Sequence, residues 1–449
     1  MSTDDPRLCI LGGGLAGNLL AICLARRGFS VQVLERRQQY ENSVSSGGRS
    51  INLALASRGI AALEKFEAFD AIEPLLIPMA GRMLHEVGKP PAFVPYGQSS
   101  QECIYSVSRS ELNFQLYKIA AEVYGVRFRF DCECTGIESD SLYPILRFGN
   151  ATELLPSKTI FATDGAGSAI RRSLEGMGAV ESSETFLDHG YKELTIAARA
   201  NGTFALDPGA LHIWPRGEFM LIALANKDGS FTVTLFLPMT GATSFQSLNE
   251  ANIEAFFAAQ FPDALPLFED LQGQFTANPT GILGTVRCAP WSHSGRYLLM
   301  GDAAHAIVPF HGQGMNAAFE DVLVLDQLLD KQLDWAATFH AFEQARLTNT
   351  EAIADMAIEN YLEMRDTVRD PKFLLQRELA LELERRYPNQ FIPRYSMVMF
   401  HPEIPYRDAQ TRGARQKQLL IKLTQDAQRL SDVDFDAADA LIASLSSSS

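Results

Sequence analysis

The chain has 449 residues, a net charge of −15, and 46% hydrophobic against 21% charged residues. That balance excludes wholesale disorder, and the acidic surplus argues against a general binder of nucleic acid or anionic membrane; the length suffices for two or three domains. No run of about 18 apolar residues occurs, no secretory leader opens the chain, and the six cysteines lack C-x-x-C spacing, so the expectation is a reduced, cytoplasmic protein that spans no membrane and holds no metal.

Arg7 to Leu11 reads as a short buried strand, followed at once by Gly12-Gly13-Gly14-Leu15-Ala16-Gly17 and an apolar helical stretch from Asn18 to Arg27. Gly28 stops that helix, and Val31 to Leu34 forms a second strand that ends on Glu35. This is a βαβ unit with G-x-G-x-x-G at its first turn and an acid about twenty residues on. Gly12 permits the tight turn, Gly14 lets the backbone approach a pyrophosphate, and Gly17 lets the helix pack close to the sheet. Glu35 is placed to accept hydrogen bonds from a ribose, which suits FAD or NAD and disfavours a 2′-phosphate. Arg36 and Arg37 are either solvated charges at a strand end or helpers for adenosine and phosphate.

Ser45 to Ala54 is rich in small residues, the pattern of a surface loop or of a loop beside a flat ring system. Ser57 to Ile72 reads as helix. Around Pro78 the character changes, and Pro90, Pro91 and Pro95 suggest a loop-bearing excursion that carries Arg82 and Tyr96, an Arg fork and a phenol suited to a carboxylate. Ser108 is a candidate N-cap for a helix through Arg109 and Leu112 to Tyr124. The buried strand Thr159 to Thr163 ends on Asp164-Gly165, with Ser168 and Arg171 beyond it.

From Tyr191 to Pro238 the pattern is antiparallel sheet, with Asn226 to Ser230 as a hairpin turn. Tyr297 to Met300 is an apolar strand ending on Gly301-Asp302, and a Gly-rich loop from Pro309 through His311 to Asn316 leads into a helix. Backbone N–H groups in such a loop and at a helix start stabilise negative charge. Asp326 to Ala443 is almost all helix, with Asn360 and Glu363 on one face and Tyr406 after Pro405.

Three separated pieces, Gly12 to Gly17, Asp164-Gly165 with Arg171, and Gly301-Asp302 with its loop, together resemble the single-component FAD-dependent aromatic hydroxylases. Finer stretches are similar to the kynurenine 3-monooxygenase family: Gly48 to Ala56, His189 to Leu194, Leu211 to Pro215, Val308 to Asn316, Glu359 to Tyr361 and Phe391 to Val398. The resemblance implies an α/β fold: a Rossmann-type FAD domain (1–75, 103–180, 283–345), a mostly antiparallel substrate domain (76–102, 181–282), a helical region (346–445) and a disordered tail (446–449).

It also implies roles by position. Gly12, Gly14, Leu15, Ala16, Gly17, Glu35, Arg36, Ala54, Arg109, Asp164, Asp302 and Gly312, Gln313, Gly314, Met315 and Asn316 would hold FAD. Arg82, Tyr96 and Tyr406 would hold an amino-acid carboxylate, with Asn360 and Glu363 beside the substrate and His311 and Phe236 lining the ring pocket. The implied reaction inserts one oxygen atom of O2 at C3 of L-kynurenine through a flavin hydroperoxide, with NADPH as transient donor and no obligatory side-chain base; a phenol-type hydroxylase is the alternative. Animal and fungal relatives carry a C-terminal membrane anchor that this chain lacks, which suits a soluble, bacterial-type cytoplasmic protein; a monomer or homodimer is expected.

Overall fold

A four-residue apolar strand with no polar face must be covered on both sides, and Leu8–Leu11 is buried along its whole length. In the computed structural model, which describes residues 8–39, 52–99, 102–363, 370–388 and 390–446, this strand is central to a sheet whose order runs Ser292–His293, Tyr297–Leu299, Ile160–Ala162, Leu8–Leu11, Val31–Leu34, Arg127–Arg129. All pairings are parallel except that of Ser292–His293. Met1 to Arg7, the small-residue segment Ser45 to Ile51 and Ser447 to Ser449 lie outside the described residues.

Register decides where chemistry can gather. Leu11 is aligned with Leu34 on one side and with Ala162 on the other, and Ala162 with Leu299. Glu35, Gly12, Asp164 and Gly301 therefore all emerge at the carboxyl edge of neighbouring parallel strands, where open α/β sheets bind ligands. The sheet belongs to one compact unit made of residues 1–76, 106–187 and 283–357. An antiparallel sheet of Glu133–Ile137, Pro144–Phe148 and Ala151–Leu154 belongs to the same unit.

The second compact unit comprises 77–105, 188–282 and 358–449. Its sheet runs from His189–Ile196 to Phe231–Pro238, Met220–Ala225, Ala210–Pro215, Gly81–Leu84 and Ala92–Pro95. Only the Ala210–Pro215 pairing with Gly81–Leu84 is parallel. Trp214, Leu221, Val233, Phe257 and Phe261 lie in the core under this sheet. The helices Pro371–Arg386, Arg394–Phe400 and Tyr406–Thr424 follow, the first and last sharing a core with Phe391.

Two local expectations change, and the Ser108 N-cap holds. Pro90 to Gly97 contains a strand, with Arg82 opposite Val94; Pro95 ends the edge strand, where a missing N–H is tolerated. The single helix expected from Ser57 to Ile72 is two, Ser57–Lys65 and Phe69–Ile72, interrupted by Glu67 at φ 56°. The helix opened by Ser108 begins at Arg109 and finishes in a wide turn, Ile119–Val123. Among the described residues no helix is long and apolar enough to cross a membrane.

Candidate functional site

In the first unit the turn after Leu8–Leu11 opens the helix Leu15–Arg26, which has no side-chain cap and no acid in its first turn. Its first N–H groups are thus left for an anion. Gly17 is there for packing: a Cβ would lie 2.0 Å from the Gly12 carbonyl oxygen and 2.7 Å from Thr163 Oγ1. Gly14 is different. Its backbone (φ −79°, ψ −172°) suits any residue, and a Cβ would meet nothing within 4 Å, so neither fold nor packing requires glycine there. The open space before it leaves room for a group from outside the chain.

Glu35 is buried, accepting from Gly13 N at 2.8 Å and from Arg37 N at 2.8 Å and Nε at 2.9 Å. Burial opposes its charge, but Arg37 and the Gly13 amide outweigh that and hold the carboxyl below its ordinary range. Arg36 beside it is exposed, as is Arg109 at its helix start. Asp164 accepts from Ala169 N at 2.8 Å through Oδ2, while its buried Oδ1 has no hydrogen-bond partner. Burial raises the Asp164 carboxyl, the helix-start donors only partly opposing it.

The Gly312–Asn316 loop is locked to Ala54. Asn316 Nδ2 donates to the carbonyls of Ala54 (2.9 Å) and Gly312 (2.8 Å), and its Oδ1 accepts from Ala56 N at 2.9 Å. The helix Gly314–Leu329 likewise starts without a side-chain cap or an acid. Gln313 and His311 are buried, Met315 partly so, and Asp302 is exposed at its turn. Leu15 and Ala16 fall within the uncapped first turn. Uncapped helix starts, a glycine with space before it and an orphaned carboxylate oxygen together fit a phosphate-bearing dinucleotide.

In the second unit Arg82 is buried within its strand, and His85 anchors the strand end: its Nδ1 lies 2.8 Å from Asp263 Oδ2 and its Nε2 lies 2.9 Å from His212 Nδ1. The Arg82 guanidinium sits 4.9 Å from the Tyr395 ring centroid and 5.7 Å from that of Tyr96, and the two rings stack at 5.4 Å. Arg82 Nε and the buried Tyr96 hydroxyl lack a partner in hydrogen-bond geometry, and among the described residues no carboxylate forms an ion pair with Arg82. Burial works against the Arg82 charge, but Tyr395, Tyr96 and Glu363 more than offset it, so the guanidinium stays charged. Burial, then Tyr395, pushes the Tyr96 phenol well up, which keeps it a donor.

Tyr406, fully buried at the start of its helix, is not among the groups that act most strongly on Arg82. Tyr395 is, and it stands inside the Phe391 to Val398 stretch without having been given a role. Arg377 was also missed. Burial and the Arg82 charge push its guanidinium down to about 10, and its Nη2 reaches the Pro95 carbonyl at 3.5 Å. An arginine on the amphipathic helix Pro371–Arg386 carries no signal that separates it from surface charge. Asn360 is buried and Glu363 half-buried, three residues apart, and Phe236 is buried opposite Tyr191 in its ladder.

The same helix carries Glu384, buried, with Oε2 unpartnered. Burial, then the Glu102 charge, pushes its carboxyl up to about 7. The folded chain thus holds this proton to higher pH than the unfolded chain, and stability falls as pH rises from the ordinary 4.5 through about 7. That span is roughly 3 kcal/mol at 1.36 per unit, and solvent screening leaves about half. Glu384→Gln is expected to raise Tm at pH 8 by several degrees and to leave it unchanged at pH 4, as thermal melts at the two pH values will show.

Comparison with known proteins adds lineage. Residues 6–356 match the model of a family described as an FAD binding domain. A kynurenine 3-monooxygenase of Myxococcus xanthus (strain DK1622) is 46% identical over 97% of this chain and 94% of that protein. Another, of Xanthomonas euvesicatoria pv. vesicatoria (strain 85-10), is 44% identical over 98% of both. Among solved structures, the tetrameric form of 2-methyl-3-hydroxypyridine-5-carboxylic acid oxygenase covers 82% of this chain and 95% of its own at TM-score 0.66 and 18% identity. Klebsiella pneumoniae HpxO complexed with FAD and uric acid covers 86% and 96% at TM-score 0.65 and 16% identity. At such identities the structures show a shared fold and nothing finer.

Proposed function

The chain belongs to the kynurenine 3-monooxygenase family, and we propose that it hydroxylates L-kynurenine at C3, giving 3-hydroxy-L-kynurenine in tryptophan degradation. L-Kynurenine, O2, NADPH and a proton become 3-hydroxy-L-kynurenine, NADP+ and water. FAD, when bound, supplies the oxygen-transfer chemistry. The observation that carries the reading is Arg82, a buried, charged guanidinium that Glu363 supports without a direct ion pair among the described residues, with its Nε unpartnered and a phenol donor beside it. A buried charge in that state calls for an anion from outside the chain.

The residues divide the work. The amides from Gly12 to Gly17 take the pyrophosphate, Glu35 the ribose, and Arg36 and Arg109 add positive charge for it. Ala54, Asp164, Asp302 and Gly312 to Asn316 hold the rest of the cofactor. Arg82 and Tyr96 take the substrate carboxylate, with Tyr395 stacked on them; Glu363 suits the α-ammonium and Asn360 a polar group of the side chain. Tyr406 remains a candidate through its neighbours, and Phe236 and His311 are the proposed ring-pocket residues. The aniline nitrogen of kynurenine enriches C3 by donation into the ring, so positioning and exclusion of water do the protein's share and no side chain need act as a strong base. We place the protein in the cytoplasm as a monomer or homodimer.

The purified protein should be yellow, and NADPH oxidation should accelerate on adding L-kynurenine, with 3-hydroxykynurenine formed in step. Acceleration by a phenol and none by kynurenine would assign it to the phenol-type hydroxylases. Failure to bind flavin would remove the reading altogether.

A further inference from the structure

Beneath the Gly301–His305 turn lies a buried ionic cluster to which the proposed reaction gives no part. Its centre is Asp321, fully buried on the helix Gly314–Leu329. Oδ2 accepts from Gly301 N at 3.1 Å and lies 2.6 Å from His305 Nε2, while Oδ1 accepts from Arg346 Nε at 2.7 Å. Arg346 also pairs with Glu320, and Glu320 with Arg58 at 2.7 Å. Burial alone would drive Asp321 to take a proton; His305 and Arg346 hold it ionised instead.

The bond to Gly301 fixes an unusual conformation. Gly301 has φ 56° and ψ −141°, a region that side chains rarely enter. The other end of the turn is held as well: Arg171 Nη1 donates to the Ala303 carbonyl at 2.8 Å, and Cys288 Sγ to that of Ala304 at 3.2 Å. Arg171 Nη2 also holds the Ala166 carbonyl at 2.6 Å, in the loop that carries Asp164. One buried guanidinium thus ties two cofactor loops together, and one buried carboxylate sets the amide end of the second. Ionic clusters of this kind contribute little net stability compared with apolar packing of similar volume. What this one supplies is a fixed position for the Gly301 amide.

We propose that Asp321 is a positioning residue for the cofactor: with His305 and Arg346 it fixes the Gly301–His305 turn, and so the place of Asp302, without itself touching the ligand. The assignment rests on the reading that FAD binds at this edge of the sheet. Asp321→Asn keeps the shape of the side chain, removes its charge and sets an NH2 group against the Gly301 N–H or the Arg346 guanidinium. Apo-protein of the full chain, titrated with FAD and followed by flavin fluorescence, should show about a 10–100-fold weaker Kd, the range of one charged hydrogen bond. Because that variant also disturbs the cluster, Gly301→Ala is measured beside it. It leaves every charge in place and strains the turn at the N–H itself, since alanine rarely adopts this backbone and its Cβ would press on Ala16 and Ala318 at 3.3 and 3.4 Å.

Gly301→Ala should weaken FAD by at least about tenfold, and the double variant should bind no worse than the weaker single one, because both act through one bond. A folded Asp321→Asn or Gly301→Ala protein that binds FAD within threefold of the parent overturns the assignment alone, as does full additivity in the double variant. A parent chain that binds no FAD overturns the cofactor reading, and the assignment with it.

Discussion

Replacing Arg82 by alanine should raise the KM for L-kynurenine by about 10- to 1000-fold while kcat changes far less. The magnitude is that of a charged, hydrogen-bonded pair between guanidinium and carboxylate, roughly 1.5–4 kcal/mol. Its position in the range depends on Arg377. In the parent, burial first and then repulsion by the Arg82 charge push the Arg377 guanidinium down to about 10. Removing Arg82 lifts that repulsion and leaves Arg377 as the remaining cation near Tyr96 and Tyr395, able to take part of the load. Arg82→Ala alone should therefore fall toward the lower end, and Arg377→Ala alone should cost less still, since Arg82 keeps both its charge and its unpaired Nε. The double variant should lose more than the sum of the two, the signature of two groups serving one ligand charge. Steady-state kinetics on the three variants measures this directly. An Arg82→Ala enzyme whose KM moves less than twofold sinks the carboxylate assignment.

How much of this was legible in the chain follows from the range of each signal. The βαβ unit and the strands ending at Glu35, Asp164 and Gly301 could be read because each is a local pattern, an apolar run followed by glycine or acid. Their convergence at one edge needed only the rule that such strands lie parallel in one sheet. The cluster proposed to hold a carboxylate was half legible. Arg82 and Tyr96 stand out as polar groups in an apolar stretch, but Tyr395 lies 299 positions beyond Tyr96 and meets it only through folding. Nothing local distinguishes it from Tyr406. Arg377 and Asp321 sit on helices that mix buried and exposed polar residues, and the sequence does not say which are which. The strand Ala92–Pro95 was hidden by its prolines, which argue against central strands and are silent about edge ones.

Two alanine substitutions three residues apart should separate the fold from its cofactor. Gly17→Ala drives a Cβ to 2.0 Å from the Gly12 carbonyl oxygen, a backbone atom that cannot swing aside. The helix Leu15–Arg26 must then lift off the sheet, and the expected result is a Tm lower by many degrees together with loss of FAD. Overpacking of this kind costs about 1–3 kcal/mol or more. Gly14→Ala places its Cβ in open space on a backbone that alanine adopts freely, so the apo-protein should melt within a degree or two of the parent. The same methyl group, however, stands where a pyrophosphate oxygen must approach the amides of the helix start, and FAD affinity should drop at least about 100-fold. Melting of both apo-proteins and FAD titration by fluorescence give the four values needed. If Gly14→Ala binds FAD as tightly as the parent, the pyrophosphate does not lie against that turn, and the space before Gly14 must serve something else.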